Sequence, residues 1–242
     1  MINALDPKRV CGLIAVVVLI LFAGSTLVLQ MLDPLPAGAD PWARLFDAAK
    51  HAIILLNVLL ALMAWSPLLW LIHTATFAKH WWFPWVGGEW SGEVKSNWGH
   101  VEAMMIAAAD PNAPRFDALK DTPPPAPDVK VKATIECRLF SIKIHFDMIG
   151  TERFSDTVFV RPERKPGERP RLHYIYLQQD RGKPAPTDRR DHYGAATLEL
   201  TTEENLEGRY WNARNEERGL NTAGIVVLRP AKKPHRRKRT KT

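Results

Sequence analysis

The order of apolar and polar positions divides this chain into two parts with different periods. Val10 to Leu32 gives 23 consecutive residues without a charge, and Ala52 to Ile72 gives another 21. At about 1.5 Å of helical rise per residue, either run can cross a hydrocarbon core of about 30 Å. The pattern predicts a helical membrane hairpin and junction over residues 1–80. The connection between the runs, Asp33 to His51, carries Arg44 and Lys50, against Lys8, Arg9 and Lys79 on the other face. That balance slightly favours cytoplasmic termini. The first run outlasts the usual core of a signal peptide and is followed by a second span, which favours a retained hairpin.

Beyond the hairpin the period changes to two. Val129, Val131, Ala133, Ile135, Cys137 and Leu139 alternate with polar residues, then the parity flips to Phe140, Ile142, Ile144, Phe146 and Met148. With no turn residue at the flip, the pattern predicts one long bent strand with a bulge near Leu139. Shorter alternating runs follow at 153–161, 171–179, 192–200, 206–214 and 222–229, separated by turn and loop compositions. That spacing predicts an antiparallel meander closing into a barrel of about eight strands over residues 81–230. Prolines crowd the stretch between Asp110 and Asp128 in a loop region spanning 100–128, with one short helix expected at Val101–Ala109.

Trp81, Trp82 and Trp85 stand where the spans end, as expected of anchors in the headgroup zone. Asn57 is the one strongly polar side chain near mid-membrane. It can bond within its own hairpin or to a second protomer, and no small-xxx-small pair is seen to reinforce the latter.

Charge changes the picture less than its total suggests. The net charge is +7, and the seven Lys and Arg residues after Ala231 account for all of it. The body is therefore neutral, and the flexible tail 231–242 suits a solvated end or anionic headgroups better than DNA or RNA. Two cysteines, one in each part of the chain, support neither a disulfide framework nor a thiolate metal site. No phosphate loop, zinc-protease helix or nucleophile elbow is present, so the chain reads as a non-enzyme without metal or resident cofactor.

The densest polar constellation lies on the last strands. Leu206, Gly208, Tyr210, Asn212 and Arg214 share one face, Thr222, Gly224, Val226 and Leu228 alternate on the return strand, and His192, Gly194, Ala196 and Leu198 precede them. Buried Tyr, Asn, Arg and His need partners, which a ligand or simple close packing can supply.

Four motifs stand in order along this region. They are Gly-x-Trp-x-Gly at Gly88, Trp90 and Gly92, His-x-Gly-x-Ala-x-Leu from His192, Leu-x-Gly-x-Tyr-x-Asn-x-Arg from Leu206, and Thr-x-Gly-x-Val-x-Leu from Thr222. Behind two N-terminal spans, they make the chain resemble the two-transmembrane, β-strand-rich (SMODS-associating) membrane effectors of bacterial cyclic-oligonucleotide (CBASS) anti-phage defence. The resemblance implies a lipocalin-like barrel on the cytoplasmic side of the inner membrane. It also implies a cyclic di- or trinucleotide ligand made by a partner nucleotide-cyclising synthase, and ligand-driven self-assembly that disrupts the bilayer and kills the cell. The chemistry of such a ligand assigns Arg214 to a phosphate, Tyr210 with Tyr174 or Tyr176 to base stacking, and Asn212 or Thr222 to base edges, with His192 on the same face. The competing readings are a membrane-tethered carrier of an apolar molecule and a docking scaffold without a cavity.

Overall fold

The computed structural model describes residues 7–32, 40–64, 67, 70–71, 73, 83–123, 128–138, 141–183 and 186–231. Trp81, Trp82 and the basic tail from Lys232 lie outside the described residues. The chain divides near Trp85 into a helical unit and a barrel unit.

In the helical unit, α1 (Pro7–Leu32) and α2 (Pro41–Ala64) form a packed hairpin. Both carry stretches long and apolar enough to cross a membrane, Ile14–Leu32 and Trp42–Leu62. The second helix starts eleven residues before the expected Ala52, so Arg44 and Lys50 sit on it rather than in the connection. Local chemistry explains the early start. Pro41 has a φ suited to a first helical position, and Asp40 caps the turn by accepting from the Trp42 N–H at 3.0 Å. Arg44 then reaches back to donate to the Leu29 carbonyl at 3.1 Å, meeting one of the acceptors left free at the end of α1. The earlier start also brings Ala48 and Ala52 onto one buried seam, a small-xxx-small pair that a span beginning at Ala52 had cut in two. Asn57 points away from that seam, exposed and with no hydrogen-bond partner among the described residues.

The barrel unit is a closed antiparallel meander of eight strands, β1 (Gly88–Ser96), β2 (Val129–Cys137), β3 (Ile142–Met148), β4 (Arg153–Glu163), β5 (Arg171–Asp180), β6 (Asp191–Leu200), β7 (Leu206–Asn212) and β8 (Thr222–Pro230). Each pairs with the next, and β8 returns to β1. One short helix, α3 (Trp98–Ala109), interrupts the meander between β1 and β2. It begins three residues before the expected Val101.

The long bent strand of the sequence reading is instead two strands. Cys137 pairs with Ile142 and Arg138 N–H donates to the Ser141 carbonyl at 2.8 Å, so the chain reverses there. An even number of residues in the connection moves the inward set from odd to even positions, which produces the parity flip that a bulge had been invoked to explain. A bulge does occur, in β4, where the register shifts between Thr157 and Phe159 and Val158 and Phe159 both face outward.

Close strand approach sets the barrel's shape. A side chain at Gly92, Gly208 or Gly224 would run into the backbone carbonyl of Val227, Thr197 or Lys95. These glycines serve close packing, and the motifs around them are partly motifs of barrel closure. One end is solid. Leu172, Leu198, Leu206 and Leu228 are fully buried there, each contributing about 1.5–3 kcal/mol by burial. At that end the Trp90 indole donates to the Val86 carbonyl at 2.9 Å.

Candidate functional site

The other end of the barrel holds a cavity. Strand alternation turns Val94, Ser96, Val129, Val131, Phe146 and Met148 inward on one side, and Ser155, Tyr174, Tyr176, Gln178, Tyr210, Asn212, Thr222 and Val226 on the other. Its volume is about 130 Å³. That is close to an apolar cavity of about 150 Å³ known to hold benzene, and well under the range of about 300–1,000 Å³ for pockets that enclose a drug-sized molecule.

Strand β6 contributes nothing to this lining, for a definite reason. Gly194 pairs with Tyr176 across β5 and β6, and the tyrosine ring occupies the volume a side chain on Gly194 would take. The aromatic wall continues through Tyr174, 6.0 Å from Tyr176 between ring centroids, and Phe146, stacked 6.3 Å from Tyr174. Burial pushes the Tyr174 and Tyr176 phenols well above their ordinary range, with a smaller push from the neighbouring tyrosine; Tyr210 moves the same way. All three enter the site as neutral phenols. Asn212 joins the wall by accepting the Thr222 hydroxyl at 2.6 Å and the Thr222 N–H at 3.3 Å.

At the rim stand two arginines. Arg153 reaches Asp180 at 3.0 Å and Asp188 at 2.6 Å. Arg214 bonds both oxygens of Asp188, the second at 2.9 Å, and its guanidinium lies 4.1 Å over the Trp98 ring at the start of α3. The Asp188 side chain is only 4% exposed. Burial alone would raise its pKa, but the Arg214 bonds and charge, the Thr187 hydroxyl and the Arg153 charge outweigh that and hold it below the usual carboxylate range. Two cations meet two carboxylates, so the rim is nearly neutral although it carries two forks suited to a phosphate.

Of the residues singled out in the sequence, Tyr174, Tyr176, Tyr210, Asn212, Arg214 and Thr222 line one cavity. His192 does not. It is buried beside the rim network, with neither ring nitrogen in a formed hydrogen bond, and burial pushes its pKa down against weaker pulls from the Arg189 backbone and the Asp188 charge. Arg153, Gln178, Ser155 and Asp188 were missed. Asp188 falls in a loop with no period to place it, and Trp98 stands 116 positions from Arg214 along the chain.

No family model and no curated protein matches this chain. Among the described residues no group of His, Cys, Asp or Glu could hold a metal ion.

Proposed function

We propose that this chain is a membrane-anchored receptor and effector whose barrel mouth takes up a cyclic oligonucleotide. The observation that carries the reading is the pairing of a tyrosine-walled cavity with two arginine forks at its rim. The cavity has room for about one flat ring of a base among Phe146, Tyr174, Tyr176 and Tyr210, and not for a whole cyclic dinucleotide. One base therefore enters while the sugar–phosphate ring stays at the mouth, its phosphates on Arg153 and Arg214 in place of Asp188.

Switching follows from that exchange. A ligand moves an equilibrium only by binding one state better than the other. The empty mouth is stabilised by the Asp188 grip and the occupied mouth by phosphate, so the two states differ in where Arg214 and α3, through Trp98, are held. The output is self-association through the membrane segments, with the barrel and both termini on the cytoplasmic face of a bacterial inner membrane and disruption of that membrane as the result. The four ordered motifs support this assignment through the resemblance to cyclic-oligonucleotide effectors.

A second reading keeps one observation in its favour. Val94, Val129, Val131, Met148 and Val226 give the cavity an apolar stretch of wall, as a carrier of an apolar molecule requires. Titrating the full chain in nanodiscs with cyclic di- and trinucleotides, their linear forms and a fatty acid separates the two. The proposal expects saturable binding of one cyclic nucleotide in the micromolar range or tighter. Binding of the fatty acid alone would replace it with the carrier.

A further inference from the structure

The outside of the barrel has two unlike halves. On β1 to β3 the outward rows are charged or polar, as in Ser91, Lys132 and Asp147, or Glu136 against Lys143. On β4 to β8 one outward row runs Phe159, Ile175, Ala195, Trp211, Ala223 in unbroken register across five strands. Val158 at the bulge, Tyr193 and Ile225 widen it. The large side chains of this belt are each between 46% and 64% exposed, and nothing covers them among the described residues. A contiguous apolar patch of this kind marks a contact surface.

We infer that the β4–β6 part of this belt is where the barrels of two copies of the chain meet, face to face about a two-fold axis. Charge placement argues for a second copy. One row above the belt on β4 stands Arg161, exposed and without an ion pair among the described residues; one row below stands Asp156, exposed on the same strand, with one oxygen on His145 of its own barrel at 2.8 Å. An axis lying across the strands over the Phe159–Ile175 row reverses strand direction, so Arg161 of each copy comes over Asp156 of the other.

The area suits a contact that needs help. The strands of a closed eight-stranded barrel turn about 45° from one to the next, so one partner meets Val158, Phe159, Ile175 and Tyr193, roughly 300 Å² per face. Two faces together reach about 600 Å², below the usual size of a specific interface. Such a contact is weak between free molecules and is strengthened when both copies are confined to one membrane, where the local concentration of each near the other rises. The inference rests on the assembly half of the proposed function and not on the identity of the ligand.

The test uses the full chain, with Cys11→Ser, reconstituted in vesicles at high protein density without nucleotide. Ile175→Cys lies beside its own copy under the axis, within about 10 Å across face-to-face sheets. A short bismaleimide should crosslink it at least five-fold better than Thr134→Cys on the charged half. Phe159→Glu added to Ile175→Cys should cut the yield about ten-fold. Arg161→Glu should weaken the crosslink, and Arg161→Glu with Asp156→Arg should restore it. Equal crosslinking at positions 175 and 134, or no effect of Phe159→Glu, overturns the belt interface, and a proximity signal between chains in the same vesicles tells whether assembly itself survives. If vesicles shield Ile175→Cys from a water-soluble maleimide at low protein density, the belt faces lipid and the inference is likewise overturned.

Discussion

The Asp188 carboxylate holds Arg214 in a two-point grip, one oxygen on Nε and the other 2.9 Å from the terminal nitrogen, at the rim of the barrel cavity. The pair is partly desolvated, with Asp188 nearly out of solvent and Arg214 16% exposed. An anion arriving at the mouth has to displace this carboxylate to use this two-point face of the guanidinium. Asp188→Asn is therefore expected to act in opposite directions on stability and on ligand affinity. Leaving Arg153 and Arg214 short of one negative charge should cost about 2 kcal/mol, below the figure for a fully buried pair because both arginines keep some solvent. Affinity for an anionic cyclic nucleotide should rise about ten-fold, near 1.4 kcal/mol. Thermal melting and titration of the same variant check both.

Gly194 tests the cavity wall. Gly194→Val has nowhere to place its side chain except into the Tyr176 ring. Overpacking of this kind should cost about 1–3 kcal/mol and drive the ring toward the cavity. Nucleotide binding is expected to fall by more than the stability loss alone explains. Gly194→Val with Tyr176→Ala should recover stability without recovering binding, because the stacking ring is gone.

Much of this fold was legible from alternation. The inward sets of β5 to β8 stand where the period of two put them, and six of the seven proposed ligand residues share a cavity as their strand parity implied. The failures have physical causes. The β2–β3 reversal carries Arg138, Leu139, Phe140 and Ser141, none a glycine, proline, asparagine or aspartate, so it had no turn signature. The first turns of α2 were read as connection because Arg44, Asp47 and Lys50 are charged, yet long side chains at a helix end reach backbone carbonyls and neighbours on the same helix. His192 shared the parity of the cavity residues but not their depth, which alternation does not encode.

His192 gives the barrel an acid sensitivity with a definite sign. Its folded pKa lies below the ordinary value, so the unfolded chain binds a proton first as pH falls. Its contribution is fully present above about pH 6.5 and is lost as pH drops through the folded pKa. His145 has the opposite sign. Burial lowers its pKa, but Asp156 and Asp147 together raise it, so its contribution is present below about pH 6.5 and lost above. In a His145→Gln background the melting temperature should therefore fall between pH 7 and pH 5. His192→Leu added to that background should flatten the fall.

Asn57 tests the membrane half. Exposed on α2 away from the Ala48–Ala52 seam, its amide has no partner within one hairpin among the described residues. In hydrocarbon a second protomer is the natural source of one. Asn57→Leu should leave insertion and nucleotide affinity unchanged while weakening assembly by about 1 kcal/mol, roughly five-fold. Crosslinking in membranes with and without the bound cyclic nucleotide checks this, and an unchanged yield would return Asn57 to a role within its own hairpin.

The most direct measurement joins ligand, mouth and membrane in one assay. The full chain is reconstituted in vesicles of bacterial inner-membrane lipid loaded with a fluorescent dye, and the cyclic nucleotide that binds most tightly in titration is added. The account expects release by the wild-type chain at concentrations that track its binding curve. For Arg214→Ala, which removes one phosphate fork, it expects a shift to ten- to a hundred-fold higher concentration. Saturated binding without release, or release by Arg214→Ala at the wild-type concentration, would contradict it.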